Sequence, residues 1–382
     1  MDLALSPEQD AARRAVREWV DAVVAPAAIR NDREERFPQE ALDGLTRDGW
    51  IGLTIPEEYG GGGADPLTYC LVIEELGRGD ANVRSILSVH LGLVAGAIVK
   101  WGTEEQRQRW LPAMAAGEQL GCFCLTEPDH GSDPATLEAT AVREGDGYRI
   151  NGSKIFITNG DIAGVALVMA RTGGPGARGV SAFLVPCDTE GFVPTPIHGK
   201  LGLRSCDTAE IRLSDVVVGT DALLGQEGEG IKVALAALDD GRMSLAASCT
   251  GLAQNAVEVM TAYAKQREQF GKPIAGFQLV QELIADAAVE TEAARLMTWR
   301  VADLKARGEK YTLAASQAKY YASEVSVRAA NAAVQVHGGY GYVDEFVVGK
   351  LLRDARVTTL YEGTSQVQKL LIGRALTGIS AF

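Results

Sequence analysis

Near the end of this 382-residue chain a single acid stands in unusual company, in Leu360-Tyr361-Glu362-Gly363-Thr364-Ser365-Gln366-Val367-Gln368. Ser365 and Gln368 have the spacing of a capping box, which predicts a helix beginning at Ser365. Glu362 then lies in a short turn ahead of it, beside Gly363, which frees the backbone there. On position alone the carboxylate suits the helix dipole, worth roughly 0.3–1 kcal/mol. Other chemistries find little support. His90, His130, His198 and His337 are far apart and form no HxH or HxxxH, so no metal site is expected. Cys70, Cys122, Cys124, Cys187, Cys206 and Cys249 contain no CxxC, which argues against a zinc site or a disulfide framework and fits a reducing cytoplasm. Gly174-Pro175-Gly176-Ala177-Arg178-Gly179 matches GxGxxG, but the strand-like VSAFLVP follows it where a nucleotide-binding turn needs a helix. It reads as a hairpin loop.

The elements that must position Glu362 fall into three segments. Residues 1–118 read as a helical domain: Ser6-Pro7-Glu8-Gln9 and Thr103-Glu104-Glu105-Gln106 are helix starts, and IPEEYGGGGADP between them is loop. Residues 119–225 change period. YRINGSKIFITNG, VALVMAR, VSAFLVP and AEIRLSDVVV are short and β-branched, and Ile211 and Leu213 alternate with Arg212 and Ser214. This predicts a small antiparallel β-domain. Residues 226–382 return to long helices. Ala253, Ala256, Val257, Met260 and Ala264 share one face, and Val280, Leu283, Ile284, Ala287 and Ala294 another. Such small-residue faces suit close helix packing, as in a bundle. The whole is mostly α with a central β-domain.

A formal charge of −13 with no basic run makes nucleic acid a poor partner. The 46% hydrophobic content supports a large core. The opening MDLALSPEQDAARRAV lacks the basic start and apolar core of a secretory leader, and no run of about 18 uninterrupted apolar residues predicts a membrane span.

Larger motifs resemble a known family. Cys124-Leu125-Thr126-Glu127-Pro128-Asp129-His130-Gly131-Ser132-Asp133 is similar to the first acyl-CoA dehydrogenase signature. Gln335-Val336-His337-Gly338-Gly339-Tyr340-Gly341-Tyr342, continuing through Glu345, Lys350 and Asp354, is similar to the second. Lys154 to Gly160, Arg267-Glu268-Gln269-Phe270-Gly271 and Tyr361-Glu362-Gly363-Thr364 fall in the family's order. The resemblance covers essentially the whole chain, most closely the short-chain branch, and implies an N-terminal helical domain, a middle antiparallel β-barrel-like domain and a C-terminal four-helix bundle.

That resemblance implies removal of two hydrogens from the α and β carbons of an acyl thioester, with FAD as hydride acceptor and Glu362 as α-proton base. The Glu362 amide would hydrogen-bond the thioester oxygen. Helix dipole and dry pocket would push the Glu362 pKa in opposite directions. Leu125, Thr126 and Ser132 match positions holding the isoalloxazine and pyrophosphate, and Phe156 and Thr158 match its other face. Arg267, Phe270, Gln335, Gly338 and Gly339 match positions that hold the adenine end from a partner subunit, and Thr364 and Gln366 match further FAD contacts. For the substrate, Ser132, Asp239, Arg242, Tyr361 and Gly363 match residues lining the thioester site, although Asp239 and Arg242 also suit a plain i,i+3 ion pair.

Two positions invite separate readings. Asp129-His130 occupies the first signature where relatives carry small residues, so His130 is either an exposed loop residue or an addition at the substrate mouth. Asn82-Val83-Arg84-Ser85-Ile86-Leu87-Ser88-Val89 resembles the glutaryl-CoA dehydrogenase branch, in which the arginine meets a distal carboxylate; the alternative is an ordinary surface arginine. The resemblance further implies a homotetramer and an electron-transfer flavoprotein as acceptor. An acyl-carrier-protein thioester as substrate, an oxidase, and a flavoprotein scaffold without the reaction remain alternatives.

Overall fold

The computed structural model describes residues 4–381. Met1 to Leu3, at the start of the stretch read above as lacking a leader, lie outside the described residues. Among the described residues seven α-helices come first: α1 (Pro7–Trp19), α2 (Ala25–Glu34), α3 (Gln39–Arg47), α4 (Pro66–Gly79), α5 (Ala81–Leu87), α6 (Gly96–Trp101) and α7 (Glu104–Ala115). The helix starts predicted at Ser6 and Thr103 are both present, each closed by a capping box, with Gln9 and with Gln106. A π-helical stretch, Ser88–Ala95, joins α5 to α6. The resulting run Ala81–Trp101 is long and apolar enough to cross a membrane by length and composition, but 83% of its apolar window is buried inside the protein. It is a core helix packed on the C-terminal domain.

The middle domain is one sheet of β1 (Gly121–Cys124), β2 (Thr140–Glu144), β3 (Gly147–Thr158), β4 (Val165–Arg171), β5 (Val180–Pro186), β6 (Phe192–Pro196), β7 (Thr208–Gly219) and β8 (Leu223–Leu224). Its order is β6-β7-β3-β2-β4-β5-β8, with β1 beside β4. Most pairs are antiparallel as expected, but β1 runs parallel to β4, and β2 meets β4 in parallel at Thr140 and Arg171. The sheet is therefore mixed, because the β2–β3 hairpin intervenes between two strands that point the same way. The GxGxxG segment is the β4–β5 connection, with only a 3₁₀ turn at Ala177–Gly179.

Five helices close the chain: α8 (Gly230–Gln266), α9 (Gln278–Ala306), α10 (Thr312–His337), α11 (Val348–Thr358) and α12 (Ser365–Thr377). The 37-residue α8 is buried without interruption from Gly241 to Ala253, because α4, α9 and α10 cover it on several sides. Its Ala253, Ala256, Met260 and Ala264 pack as predicted. The result is the three-domain arrangement of helical, β and helical layers.

Candidate active site

Glu362 lies in the turn between α11 and α12. The predicted capping box does not form. Thr364 is the N-cap, accepting from the Val367 amide at 3.2 Å. Ser365 instead donates to Glu324 Oε1 at 2.6 Å, and the Gln368 amide turns back onto the Glu362 and Gly363 carbonyls at 3.0 and 3.2 Å. The turn needs these donors because Glu362 (φ 57°) and Gly363 (φ 84°) are both left-handed. That conformation costs a residue with a Cβ roughly 1–2 kcal/mol.

The carboxylate faces a cleft of ≈ 670 Å³ whose lining includes Leu125, Thr126, Ser132, Phe156, Thr158, Asp239, Arg242, Tyr361, Gly363 and Arg84. Eleven of the residues singled out from sequence, Glu362 included, thus meet in one cavity. Glu362 Oε2 is buried without a hydrogen-bond partner. Burial pushes the carboxyl up to about 7, against the pull of Arg242, Lys319 and Arg84. The dry pocket outweighs the helix start.

The β-domain supplies one wall. Leu125 and Thr126 continue from β1, and the Thr126 carbonyl accepts from the Ile155 amide at 2.9 Å. Buried Lys154 bridges the Leu125 carbonyl (3.2 Å) and Glu127 (2.8 Å), and Glu127 also takes the Glu138 and Ala139 amides. This fixes the loop that carries Ser132. A register shift between Lys154 and Ile157 re-aims β3. Phe156 there takes φ 59° and is 66% exposed, so it is a cleft residue and not a core aromatic. Asn159, at the end of β3, ties the Ile86 and Gly121 carbonyls together (3.1 and 3.2 Å), coupling this wall to α5.

The helices supply the other wall. Asp239 and Arg242 do form the i,i+3 ion pair, at 2.8 Å, and they form it inside the cleft, where Arg242 Nε also approaches the Glu362 carbonyl at 3.4 Å. Both sequence readings of that pair are thus compatible. Arg84 is not a surface residue: it is 3% exposed and donates to the Tyr361 hydroxyl at 2.7 Å. His130 is neither freely exposed nor part of the cleft lining. It is half-buried, 3.0 Å from Thr136 Oγ1 and 3.5 Å from Glu138.

The residues assigned by resemblance to the adenine end lie elsewhere. Arg267, Gly338 and Gly339 line a separate cavity of ≈ 600 Å³ with His337 and Tyr340. The Arg267 guanidinium lies 5.6 Å from the Tyr340 ring. Gln335 is exposed on α10 nearby, and Phe270 is 93% exposed on the hairpin that follows α8. Thr364 and Gln366 do not line the main cleft. Among the described residues no cluster suited to a metal ion occurs, and the six cysteines are free thiols.

Three residues escaped the sequence reading. A methyl group at Gly241 would collide with the Glu362 carboxylate, so this glycine makes its room. Its signal was a glycine inside a long helix, which costs about 1 kcal/mol against alanine. Lys319 donates to the Gly363 carbonyl at 2.7 Å, and its signal was a lysine within the small-residue face of α10. Lys154 stood inside a quoted motif, but its ion pair with Glu127 spans 27 residues and left no local sign.

Domain models of acyl-CoA dehydrogenases match nearly the whole chain: the N-terminal domain over residues 6–118, the middle domain over 122–216 and the C-terminal domain over 228–377. The short-chain specific acyl-CoA dehydrogenase of Clostridium acetobutylicum is 41% identical over 373 residues, 97% of this chain and 98% of that protein. Butyryl-CoA dehydrogenase from Megasphaera elsdenii has a TM-score of 0.96 at 38% identity, covering 98% of this chain and 100% of that one. A glutaryl-CoA dehydrogenase from Mycobacterium smegmatis in complex with FADH2 has a TM-score of 0.94 at 34% identity, covering 99% and 96%. The chain belongs to the acyl-CoA dehydrogenase family and is a flavin-dependent oxidoreductase.

Proposed function

We propose that the protein oxidises a short-chain or modestly branched acyl-CoA to the trans-2-enoyl-CoA, with Glu362 as the base. The observation that carries this reading is the Glu362 carboxylate itself, enclosed in the cleft, with Oε2 unpartnered and a pKa near neutrality. A base poised there can take the α-proton at working pH and is effective in doing so. Among the described residues the Glu362 amide donates to no protein acceptor, which suits it to the thioester oxygen as charge develops. Asp239 and Arg242, paired inside the cleft, order the approach of the thioester arm. The short-chain specific and butyryl-CoA relatives support a small acyl group.

The cleft walls fit FAD. Thr126, Ser132 and Thr158 offer hydroxyls around the apolar faces of Leu125 and Phe156, and an aromatic ring left 66% exposed is suited to a flat partner. A flavin bound there supplies the two-electron acceptor for the β-hydride. Thr364 and Gln366 belong to the same reading as further contacts. Arg267, Gln335, Gly338, Gly339 and Phe270 would hold the adenine end of the cofactor in a second copy of the chain, within a homotetramer, because none of them lines the cleft of their own chain and Arg267, Gly338 and Gly339 line a separate cavity. An electron-transfer flavoprotein is the proposed electron acceptor.

The test is anaerobic mixing of the purified flavoprotein with butyryl-CoA. Flavin absorbance should bleach in the native protein and persist in Glu362→Gln. A colourless protein that refuses FAD, or full turnover by the variant, overturns the reading.

One observation favours a second reading, a dicarboxylic acyl thioester. Arg84 is buried in the cleft, no carboxylate lies within ion-pair distance of it among the described residues, and its Nε has no partner. A buried cation without an anion is costly, and an anionic acyl end would relieve that cost. Arg84→Ala should then raise KM for a dicarboxylyl thioester and spare butyryl-CoA; equal effects on both exclude it. Parallel assays of CoA and carrier-protein thioesters distinguish the carrier-bound alternative.

A further inference from the structure

Lys319 occupies a position where an apolar residue is due. On α10 it falls within the stripe Ala315, Ala318 and Ala322, and like them it is 0% exposed. Its ammonium donates to the Gly363 carbonyl at 2.7 Å, and no carboxylate lies within ion-pair distance of it among the described residues. Taking an ammonium out of water without a paired acid costs several kcal/mol in a protein interior. Burial accordingly lowers its pKa to about 8. Holding the turn does not by itself demand that charge, because the neutral Gln368 amide already donates to the carbonyls of both Glu362 and Gly363.

The surroundings of Glu362 show what the charge is for. From α8, Arg242 approaches, but Asp239 pairs it at 2.8 Å. From α5, Arg84 is engaged with the Tyr361 hydroxyl. From α10 come Lys319 and Glu324, and Glu324 accepts from the Ser365 hydroxyl and lies outside ion-pair distance of Lys319, acting on it only at longer range. Cys249, on α8, is a thiol whose own burial pushes its pKa up and keeps it neutral. Lys319 is therefore, like Arg84, a buried cation near the base with no carboxylate within ion-pair distance of it among the described residues.

We propose that Lys319 is a positioning residue for proton abstraction, fixing the Gly363 carbonyl from α10 and presenting a positive charge to the Glu362 carboxylate. This rests on Glu362 being the base. The hydrogen bond holds the left-handed turn, and the charge opposes the desolvation that would otherwise keep Glu362 protonated at neutral pH.

The experiment uses the flavin-loaded protein and two readouts. One is the infrared titration of the Glu362 carboxyl, taken as the difference between each variant and the same variant carrying Glu362→Gln. The other is the pH profile of kcat/KM. Lys319→Met should move the carboxyl midpoint and the acid limb upward together by half a pH unit or more, and lower kcat at least tenfold. Lys319→Arg, which keeps the charge, should leave the midpoint in place. Gln368→Leu should lower kcat without moving the midpoint, since it removes a donor and no charge. Flavin content and circular dichroism establish that each variant is folded; if Lys319→Met does not fold, the Lys319→Arg and Lys319→Gln pair carries the same comparison. An unmoved midpoint in the charge-neutral variant, or an equal shift in Gln368→Leu, overturns the proposal. Loss of the carboxyl titration without loss of turnover in Glu362→Gln would instead overturn the assignment of the base.

Discussion

Gly241 and Glu362 approach so closely that a methyl group on the glycine would lie 2.5 Å from Oε2 and 2.7 Å from Oε1 of the acid. The two residues are 121 apart in sequence, and the contact exists only because α8 passes beneath the α11–α12 turn. A glycine in the middle of a 37-residue helix weakens that helix, so its presence is explained by what it leaves room for. Gly241→Ala gains up to about 1 kcal/mol of helix propensity and displaces the carboxylate. A misplacement of about 1 Å costs on the order of 10²-fold in rate. We expect kcat to fall by that order while the thermal midpoint changes by only a few degrees. Wild-type kcat in Gly241→Ala would show that the carboxylate works from another position.

As the proposed base, Glu362 must be ionised to accept a proton. With its carboxyl pushed up to about 7, kcat/KM should rise with pH through that value and level off above it. An acid limb near the ordinary value of 4.5 would mean that the cleft does not desolvate the base when the protein is at work.

The same shift has a cost in stability whose sign is fixed. An acid whose pKa is higher in the folded state than in the unfolded chain binds its proton more tightly when folded. Glu362 therefore destabilises the fold as pH rises from about 4.5, and the loss is complete above about 7. The upper bound is on the order of 3 kcal/mol. Glu362→Gln should unfold at a higher temperature than wild type at pH 8 and at the same temperature near pH 4.5, measured by calorimetry with both proteins saturated with flavin. Equal midpoints at pH 8 would show that the neighbouring cations compensate the burial in full.

How much of this was legible depends on the range of each interaction. The helix starts at Ser6 and Thr103 are settled by residues three apart, and both were legible. So was the switch to β-structure, because Ile211 and Leu213 alternate with Arg212 and Ser214 within one strand. The parallel β1–β4 pair was not, since Gly121 and Val165 meet across 44 residues and no periodicity records it. Ser365 and Gln368 had the spacing of a capping box, but Glu324 on α10 and the strained Glu362–Gly363 carbonyls took their side chains instead. The direction of the Glu362 pKa shift depends on enclosure by α5, α8 and α10, none of which is near it in sequence. Arg84 carried a local motif that named the residue, yet only the packing shows that it is buried.

A buried ion cluster joins the N-terminal and C-terminal domains. Lys350 Nζ on α11 lies 2.7 Å from Asp80 and 2.6 Å from Asp354, and Asp354 also takes the Leu203 amide from the segment ahead of β7. All three charged side chains are almost inaccessible. Removing the lysine would leave two buried carboxylates facing each other, a change that typically costs 3–5 kcal/mol. Lys350→Met should lower the unfolding free energy, measured by denaturant titration, by that amount. It should leave kcat within a few-fold below the transition, because no member of the cluster lines the cleft. A small stability change would mean that Asp80 and Asp354 rearrange to share a proton.

Phe156 separates function from stability more sharply. An aromatic ring that is two-thirds exposed contributes little burial, and its left-handed backbone costs a bulky residue of order 1–3 kcal/mol. Among the described residues no hydrophobic cluster takes in the ring, so the return is expected from what it touches in the cleft. Phe156→Gly removes the side chain and supplies the one residue for which φ 59° is easy. The flavin-free protein should therefore melt at the same temperature as wild type or a few degrees higher. Flavin affinity, measured by fluorescence titration, should drop at least tenfold. If the substitution instead destabilised the flavin-free protein by the 3–5 kcal/mol typical of a lost core aromatic, with flavin affinity intact, Phe156 would be a packing residue and the β-domain wall would have to hold its ligand by other means.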